Sequence, residues 1–232
     1  MSKRRAISIL FAGFFVTSTL ISGDVTGKVE FKGKAPEEAR INMNADPVCK
    51  KAHPGPVFGQ EVVVNKNETL KNVLIFIKDG LPAKTYEAPK QKLLFDQKGC
   101  EYSPHVLGIM VGQELDIKNS DPTLHNVHSL SKLNPQFNRA QPIQNMVMTE
   151  KFDKVETFKV KCEVHPWMNA YIGVFNNPYF AVTGDDGSFT LKGVPAGEYT
   201  IEAWQEKYGS QTAKVKVGAS GKATVDFTYK GS

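Results

Sequence analysis

Two short runs hold the residues of this chain best suited to chemistry. One reads Cys162-Glu163-Val164-His165-Pro166-Trp167-Met168, and upstream of it stands His125-Asn126-Val127-His128. A thiolate, two imidazoles and a thioether make a donor set for one copper ion. Sulfur favours Cu(I) and imidazole suits both oxidation states, so a trigonal His, His, Cys set with a weak axial Met lets the ion change charge without rebuilding its surroundings. Cys, His and Met spaced by three converge on one point only where a strand ends and a tight loop turns, and Pro166 beside His165 favours that turn. The fourth donor has to come from another strand, and His125 follows the alternating run Glu114-Leu115-Asp116-Ile117-Lys118. His125 and His128 are three apart, so on a regular strand they point to opposite faces and only one can reach a given ion.

Each donor also has a plainer reading. Cys162 can be half of a disulfide, Met168 core filler, and a histidine in a strand a polar residue at a sheet edge. Zinc fits the set less well, because a thioether is a poor zinc ligand and a structural zinc site carries more thiolate than this loop offers. One cysteine in the loop excludes a binuclear copper site, and the lack of paired His-X-His motifs excludes a trinuclear cluster. No Ser-His-Asp order, Gly-rich phosphate loop or His-Glu-X-X-His motif is present either. The reading is a carrier, not an enzyme.

The elements that must position these donors are strands. Val62 to Val64, Val73 to Ile77, Val106 to Val111, Leu115 to Ile117, Phe158 to Val160 and Tyr171 to Phe175 are short apolar or alternating runs rich in β-branched and aromatic residues. Asp79-Gly80, Gly112-Gln113 and Asn119-Ser120-Asp121-Pro122 separate them as turns. No stretch of helical period with caps interrupts the pattern, which makes the fold class all-β.

The two ligand runs resemble those of the cupredoxins, the amicyanin- and plastocyanin-like blue copper proteins, over roughly residues 106 to 175. The Cys-X-X-His-Pro-aromatic-Met loop and the His-Asn-Val-His stretch carry the likeness, with Leu124 standing where the family pattern has Pro. The resemblance implies a cupredoxin Greek-key β-sandwich holding one type 1 copper on His125, Cys162, His165 and Met168. It implies that Asn126 ties the two ligand loops together, and that His165 shows its ring edge at the surface beside Pro166 and Trp167. An exported carrier of single electrons follows, meeting a c-type cytochrome or a periplasmic dehydrogenase transiently near His165 and Trp167. A copper-binding accessory subunit of an envelope redox complex, or a copper chaperone, is the alternative. With Cys162 a ligand, Cys49 and Cys100 remain as a disulfide pair in an oxidising compartment. Free thiols, or a second metal site with His53 and His105, stay open beside it.

From Tyr179 the tail alternates cleanly, as in Glu198-Tyr199-Thr200-Ile201-Glu202-Ala203-Trp204. Its Asp186-Gly187-Ser188-Phe189 and Pro195-Ala196-Gly197-Glu198-Tyr199 turns resemble the carboxypeptidase regulatory-like, or transthyretin-like, β-sandwich, an Ig-type fold. That tail is small for an independent core. The run Val25-Thr26-Gly27-Lys28-Val29-Glu30-Phe31 looks like the strand that completes it. The domain reading is therefore a signal peptide over 1–23, a cupredoxin-like copper domain with an N-terminal extension over 24–178, and a second sandwich over 179–232 to which strand 25–31 returns.

Met1 to Arg5 is basic, Ala6 to Ile21 is apolar, and small residues follow at Ser22-Gly23, the pattern of a secretory leader cleaved near Gly23. The apolar run is short of the ~20 residues that span hydrocarbon. A periplasmic or otherwise exported chain without a stable membrane span is expected. The formal charge is +5, and because three basic and no acidic residues lie in the first 23, the remainder stands near balance at +2. Nothing in that balance suggests nucleic acid.

Overall fold

The computed structural model describes residues 22–218 and 221–231, which form nineteen strands, β1 to β19 in chain order, and one short helix, α1. The expected leader lies outside the described residues except for Ser22 and Gly23, which open β1. Among the described residues no helix is long and apolar enough to cross a membrane.

Two β-sandwiches account for seventeen of the strands. In the first, a five-stranded sheet runs β10 (Asn138–Gln141), β9 (His125–Ser129), β12 (Glu156–Lys161), β13 (Asn169–Phe175) and β7 (Val106–Met110). Facing it is a sheet of β11 (Val147–Glu150), β8 (Leu115–Asn119), β5 (Leu93–Gln97) and β6 (Tyr102–Ser103). Alternation sets the inner faces: Leu115 and Ile117, Phe158 and Val160, Ala170, Ile172 and Val174 are all buried in one cluster with Phe95, Ile109 and Val127. All-β is what the pattern required, and it is what forms.

The second sandwich is built from both ends of the described chain. One sheet runs β14 (Phe180–Val182), β4 (Leu74–Asp79), β16 (Gly197–Gln205) and β17 (Gly209–Val217). The other centres on β1 (Ser22–Lys32), which pairs antiparallel with β15 (Ser188–Pro195) and parallel with β18 (Lys222–Thr224) and β19 (Phe227–Lys230). Val25, Val29 and Phe31 from β1 share a core with Ile75, Ile77, Leu191, Ile201, Phe227 and Tyr229. Strand 25–31 pairs with the tail as β1, and the structure departs from a division at residue 178 in β4, which lies on the N-terminal side of it and yet completes the tail's other sheet. A tail with too few strands to cover both faces recruits them. The Val62 to Val64 run differs too: it forms a single bridge, Val64 to Leu70, because the turn at Asn65–Glu68 reverses the chain at once.

The two sandwiches meet through glycine. Gly108 on β7 and Gly173 on β13 lie directly opposite in register. A Cβ on Gly108 would come within 2.5 Å of the Phe180 ring, and one on Gly173 within 2.5 Å of Leu74. Leu74, Val106 and Phe175 are buried there, with Phe76, Tyr171, Phe180, Val182 and Trp204 packed around them. Overfilling a packed seam of this kind costs about 1–3 kcal/mol. Gly173→Val is expected to lower stability by that amount in a denaturant melt, and an unchanged midpoint would show that the seam is not packed this way.

A second clamp holds the strand that carries His125. After β9 the chain loops through Ser131–Asn134, and the Glu156 carboxylate accepts from Ser131 Oγ at 2.5 Å and from the backbone N–H groups of Lys132, Leu133 and Asn134 at 2.6, 3.1 and 3.3 Å. Partial burial pushes the Glu156 carboxyl up, but the Ser131 hydroxyl, the N–H groups of Lys132 and Leu133 and the Asn134 side-chain amide outweigh it and hold the group down at about 2. A carboxyl lowered on folding stabilises above its unfolded value and loses that contribution as pH falls through the folded one. Glu156→Gln is expected to cost about 1–3 kcal/mol at neutral pH. The gap to the wild type should close between pH 5 and pH 2, as thermal melts across that range would show.

Candidate metal centre

β12 delivers Cys162 to the end of the five-stranded sheet, and the loop from Cys162 to Met168 turns back into β13. Cys162 N–H donates to the Met168 carbonyl at 3.0 Å, and Met168 N–H to the His165 carbonyl at 2.9 Å, so Pro166 and Trp167 are the middle of a closed turn. Pro166 stands where a fixed φ suits the first central position. His125 opens the neighbouring strand β9. Cys162, His165, His125 and Met168 are all buried, His125 completely.

The donor atoms converge. Those of His125, Cys162 and His165 all lie within 4.8 Å of one another. The two Nδ1 atoms face each other at 3.1 Å, and Cys162 Sγ lies 4.0 Å from His165 Nδ1. Behind the rings, Asp121 Oδ2 accepts from His125 Nε2 at 2.8 Å, and Asp46 Oδ2 accepts from His165 Nε2 at 3.0 Å. A carboxylate only accepts, so each ring carries a proton on Nε2. A proton on one Nδ1 makes this contact an N–H···N hydrogen bond, and a cation held by both nitrogens and the sulfur would fit the same spacing. Imidazole–metal bonds of about 2.0–2.1 Å place two nitrogens on one ion about 3 to 3.4 Å apart, which is the spacing seen.

The electrostatics agree. Burial raises the Cys162 thiol, but hydrogen bonds from His125 and from the backbone N–H groups of His165, Val164 and Asn126 outweigh it and hold it below the ordinary thiol range. Burial lowers His125, but Asp121 and Cys162 outweigh it and leave the ring more basic than usual. Burial raises Asp46 and is in turn outweighed by Thr123, His165 and two backbone donors, leaving the carboxyl at about 2.

Asn126 joins the loops twice. Its backbone N–H points to Cys162 Sγ, and its side-chain Oδ1 accepts from Glu163 N–H at 3.2 Å. His128 faces away and pairs at the surface with Glu163. Met168 lies in the same core cluster as Cys162, 1 % exposed.

Two features differ from the sequence expectation. His165 was expected to show its ring edge at the surface, yet it is 2 % exposed. The segment between β2 (Arg40–Ile41) and β3 (Val57–Phe58) covers it, with α1 (Pro47–Ala52) bringing Asp46 and Cys49 onto the ring. Cys49 Sγ is 3.5 Å from His165 Nε2 and is disulfide-bonded to Cys100. His53 and His105, the other histidines considered for a second metal, are placed elsewhere: His53 bonds the Gly99 carbonyl at 2.6 Å, and His105 pairs with Glu206 of the second sandwich. Sequence reasoning missed Asp46 and Asp121. Asp121 sat in a recognised turn, four residues before His125, and that offset was its one available signal.

Comparison with known proteins adds the following. Residues 165–230 match the family model of the carboxypeptidase regulatory-like domain. The matched stretch begins in the loop after Cys162 and runs through β13 of the first sandwich into the strands of the second. No curated protein matches the chain. Among solved structures, a copper-containing nitrite reductase from Thermus scotoductus SA-01 is 18% identical at a TM-score of 0.36, over 43% of this chain and 26% of that one. A reduced amicyanin variant is 19% identical at 0.34, over 44% of this chain and 98% of its own. A purple cupredoxin from Nitrosopumilus maritimus is 22% identical at 0.31, over 36% and 98%. The present chain thus spans about a quarter of the nitrite reductase. Likeness at these scores carries no functional argument, and the donor geometry has to supply it.

The disulfide brackets this geometry by closing a loop across a sequence separation of 51. In the chain-entropy account that closure is worth about 4 kcal/mol. Replacing both cysteines by serine is expected to lower unfolding stability by that order. A reductant in the melt should bring the wild type down to the variant and leave the variant unmoved.

Proposed function

We propose that this chain binds one copper ion through His125 Nδ1, His165 Nδ1 and Cys162 Sγ, with the Met168 thioether as weak axial donor, and carries single electrons between redox partners outside the cytoplasm. The observation that carries the reading is the pair of buried imidazoles whose Nδ1 atoms face each other at 3.1 Å while both Nε2 atoms are anchored on carboxylates. Copper supplies the change of charge, and the protein supplies everything that keeps that change cheap. Burial excludes water from the donors. The N–H groups of Val164 and His165, both 3.4 Å from Cys162 Sγ, hold the thiolate and temper its donation. The closed turn at Pro166–Trp167 fixes His165 relative to Cys162, so neither donor has to move.

The partner in this reading is a c-type cytochrome or a periplasmic dehydrogenase, and it meets a centre whose His165 edge is covered. Leu124 and Val164, each immediately before a ligand histidine, are the apolar side chains that do reach the surface there, 41 % and 43 % exposed. A role as accessory subunit stands second, favoured by the packed seam with the second sandwich.

The deciding experiment adds Cu(II) to the metal-free protein beside a Cys162→Ala variant. One equivalent bound with an intense thiolate-to-copper visible band, absent from the variant, is the expected result. A folded wild-type protein that stays colourless, or binds equally well without Cys162, would overturn the reading.

A further inference from the structure

We propose that Asp46 sets the tautomer of His165 and thereby decides whether the centre can take a metal ion at all. The consequence for copper rests on the function proposed above, whereas the geometry stands without it.

The two oxygens of this carboxylate have separate tasks. Oδ1 caps α1, accepting from the backbone N–H groups of Val48 at 2.7 Å and Cys49 at 3.3 Å. Oδ2 accepts from Thr123 Oγ1 at 2.8 Å and from His165 Nε2 at 3.0 Å. With its proton held at Nε2, His165 presents a lone pair at Nδ1, toward His125 and Cys162. A ring protonated at Nδ1 would present a hydrogen there and block the ion. His125 is held in the same way by Asp121, whose oxygens also accept from Gly99 N–H and Cys100 N–H, both at 2.8 Å.

The disulfide joins these two devices. Cys49 gives its N–H to Asp46 and Cys100 gives its N–H to Asp121, so the bond between their sulfurs cross-links the segment that carries Asp46 to the one that anchors Asp121. The covering segment is thus a positioning element whose most specific atom is Asp46 Oδ2.

Asp46 is also the better residue to test, because its division of labour makes two substitutions diverge. Asn, Asp and Ser are comparable helix N-caps, so α1 is kept in either variant. In Asp46→Asn the cap claims the side-chain oxygen, since turning the amide round would aim its NH2 group at two N–H donors. The amide nitrogen then faces His165 Nε2 and donates to it, which drives the ring proton to Nδ1. In Asp46→Ser nothing replaces Oδ2, and the ring is left free to choose. The closest isostere is therefore the more damaging change, the opposite of what a purely structural role would give.

The test uses the full chain. Nitrogen-15 NMR of the metal-free protein should place the His165 proton on Nε2 in the wild type and on Nδ1 in Asp46→Asn. Competition with a chelator should then show Cu(II) affinity about 10–100-fold lower in Asp46→Ser, the usual loss for a group behind a metal ligand, and lower again in Asp46→Asn. An Asn variant that keeps Nε2–H, or binds copper as well as the Ser variant does, overturns the proposal. If the wild type itself binds no copper, the function proposed above fails and the NMR result alone decides the role of Asp46.

Discussion

Two buried imidazoles held nitrogen to nitrogen, each anchored from behind by a carboxylate, are the constraint on which the rest of the site depends. Everything around His125 and His165 serves to keep them there. The carboxylates behind the rings forbid the rotation that would relieve the crowding, and burial removes the water that would otherwise come between them. A thiolate at the same point adds negative charge to a place already rich in lone pairs. A bound cation would relieve that concentration of lone pairs, and soft sulfur with borderline nitrogen would favour copper over a harder ion.

The fold supplies this constraint from three separate directions. His125 opens β9, and Cys162 and His165 sit on the return from β12 to β13, so adjacent strands of one sheet bring the three side chains within reach. The carboxylates come from outside that sheet, Asp121 from the turn before β9 and Asp46 from the N-terminal extension. A site whose donors and supports arrive on different segments depends on how those segments are fixed, which explains the density of fastenings nearby: the disulfide, the Thr123–Asp46 bond, and the Trp167 indole N–H on the Cys100 carbonyl at 3.0 Å.

The convergence of His125, Cys162 and His165 was legible because thiol and imidazole at three-residue spacing, with a second histidine upstream, have few other reasons to occur together. The strands were legible by alternation, and the return of residues 25–31 to the tail by the glycine-bearing strand pattern. The supports were not. Asp46 lies 119 positions from His165 and looks like any acidic residue before a proline. No local pattern announces a contact of that range. Strand β4 was recognised as a strand but given to the wrong sandwich, since a run such as Leu74-Ile75-Phe76-Ile77 has apolar side chains on both faces and does not say which sheet it belongs to. The burial of His165 escaped for the same reason as Asp46, because one covering segment causes both.

The second sandwich has a kinetic consequence. Lys28 N–H bonds the Asp226 carboxylate across 198 positions of sequence, and β1 lies between strands drawn from the far end of the chain. The first sandwich, by contrast, closes with strands that all fall between Leu93 and Phe175. Contacts of long sequence separation form late because the loop entropy must be spent before they return anything. A folding order in which the first sandwich assembles while β1 still waits for strands from the far end of the chain would leave an apolar strand with both edges unpaired beside a finished domain. That geometry is the one most exposed to edge-to-edge aggregation, so the speed of the final closure would bear on how much of the chain reaches the native state.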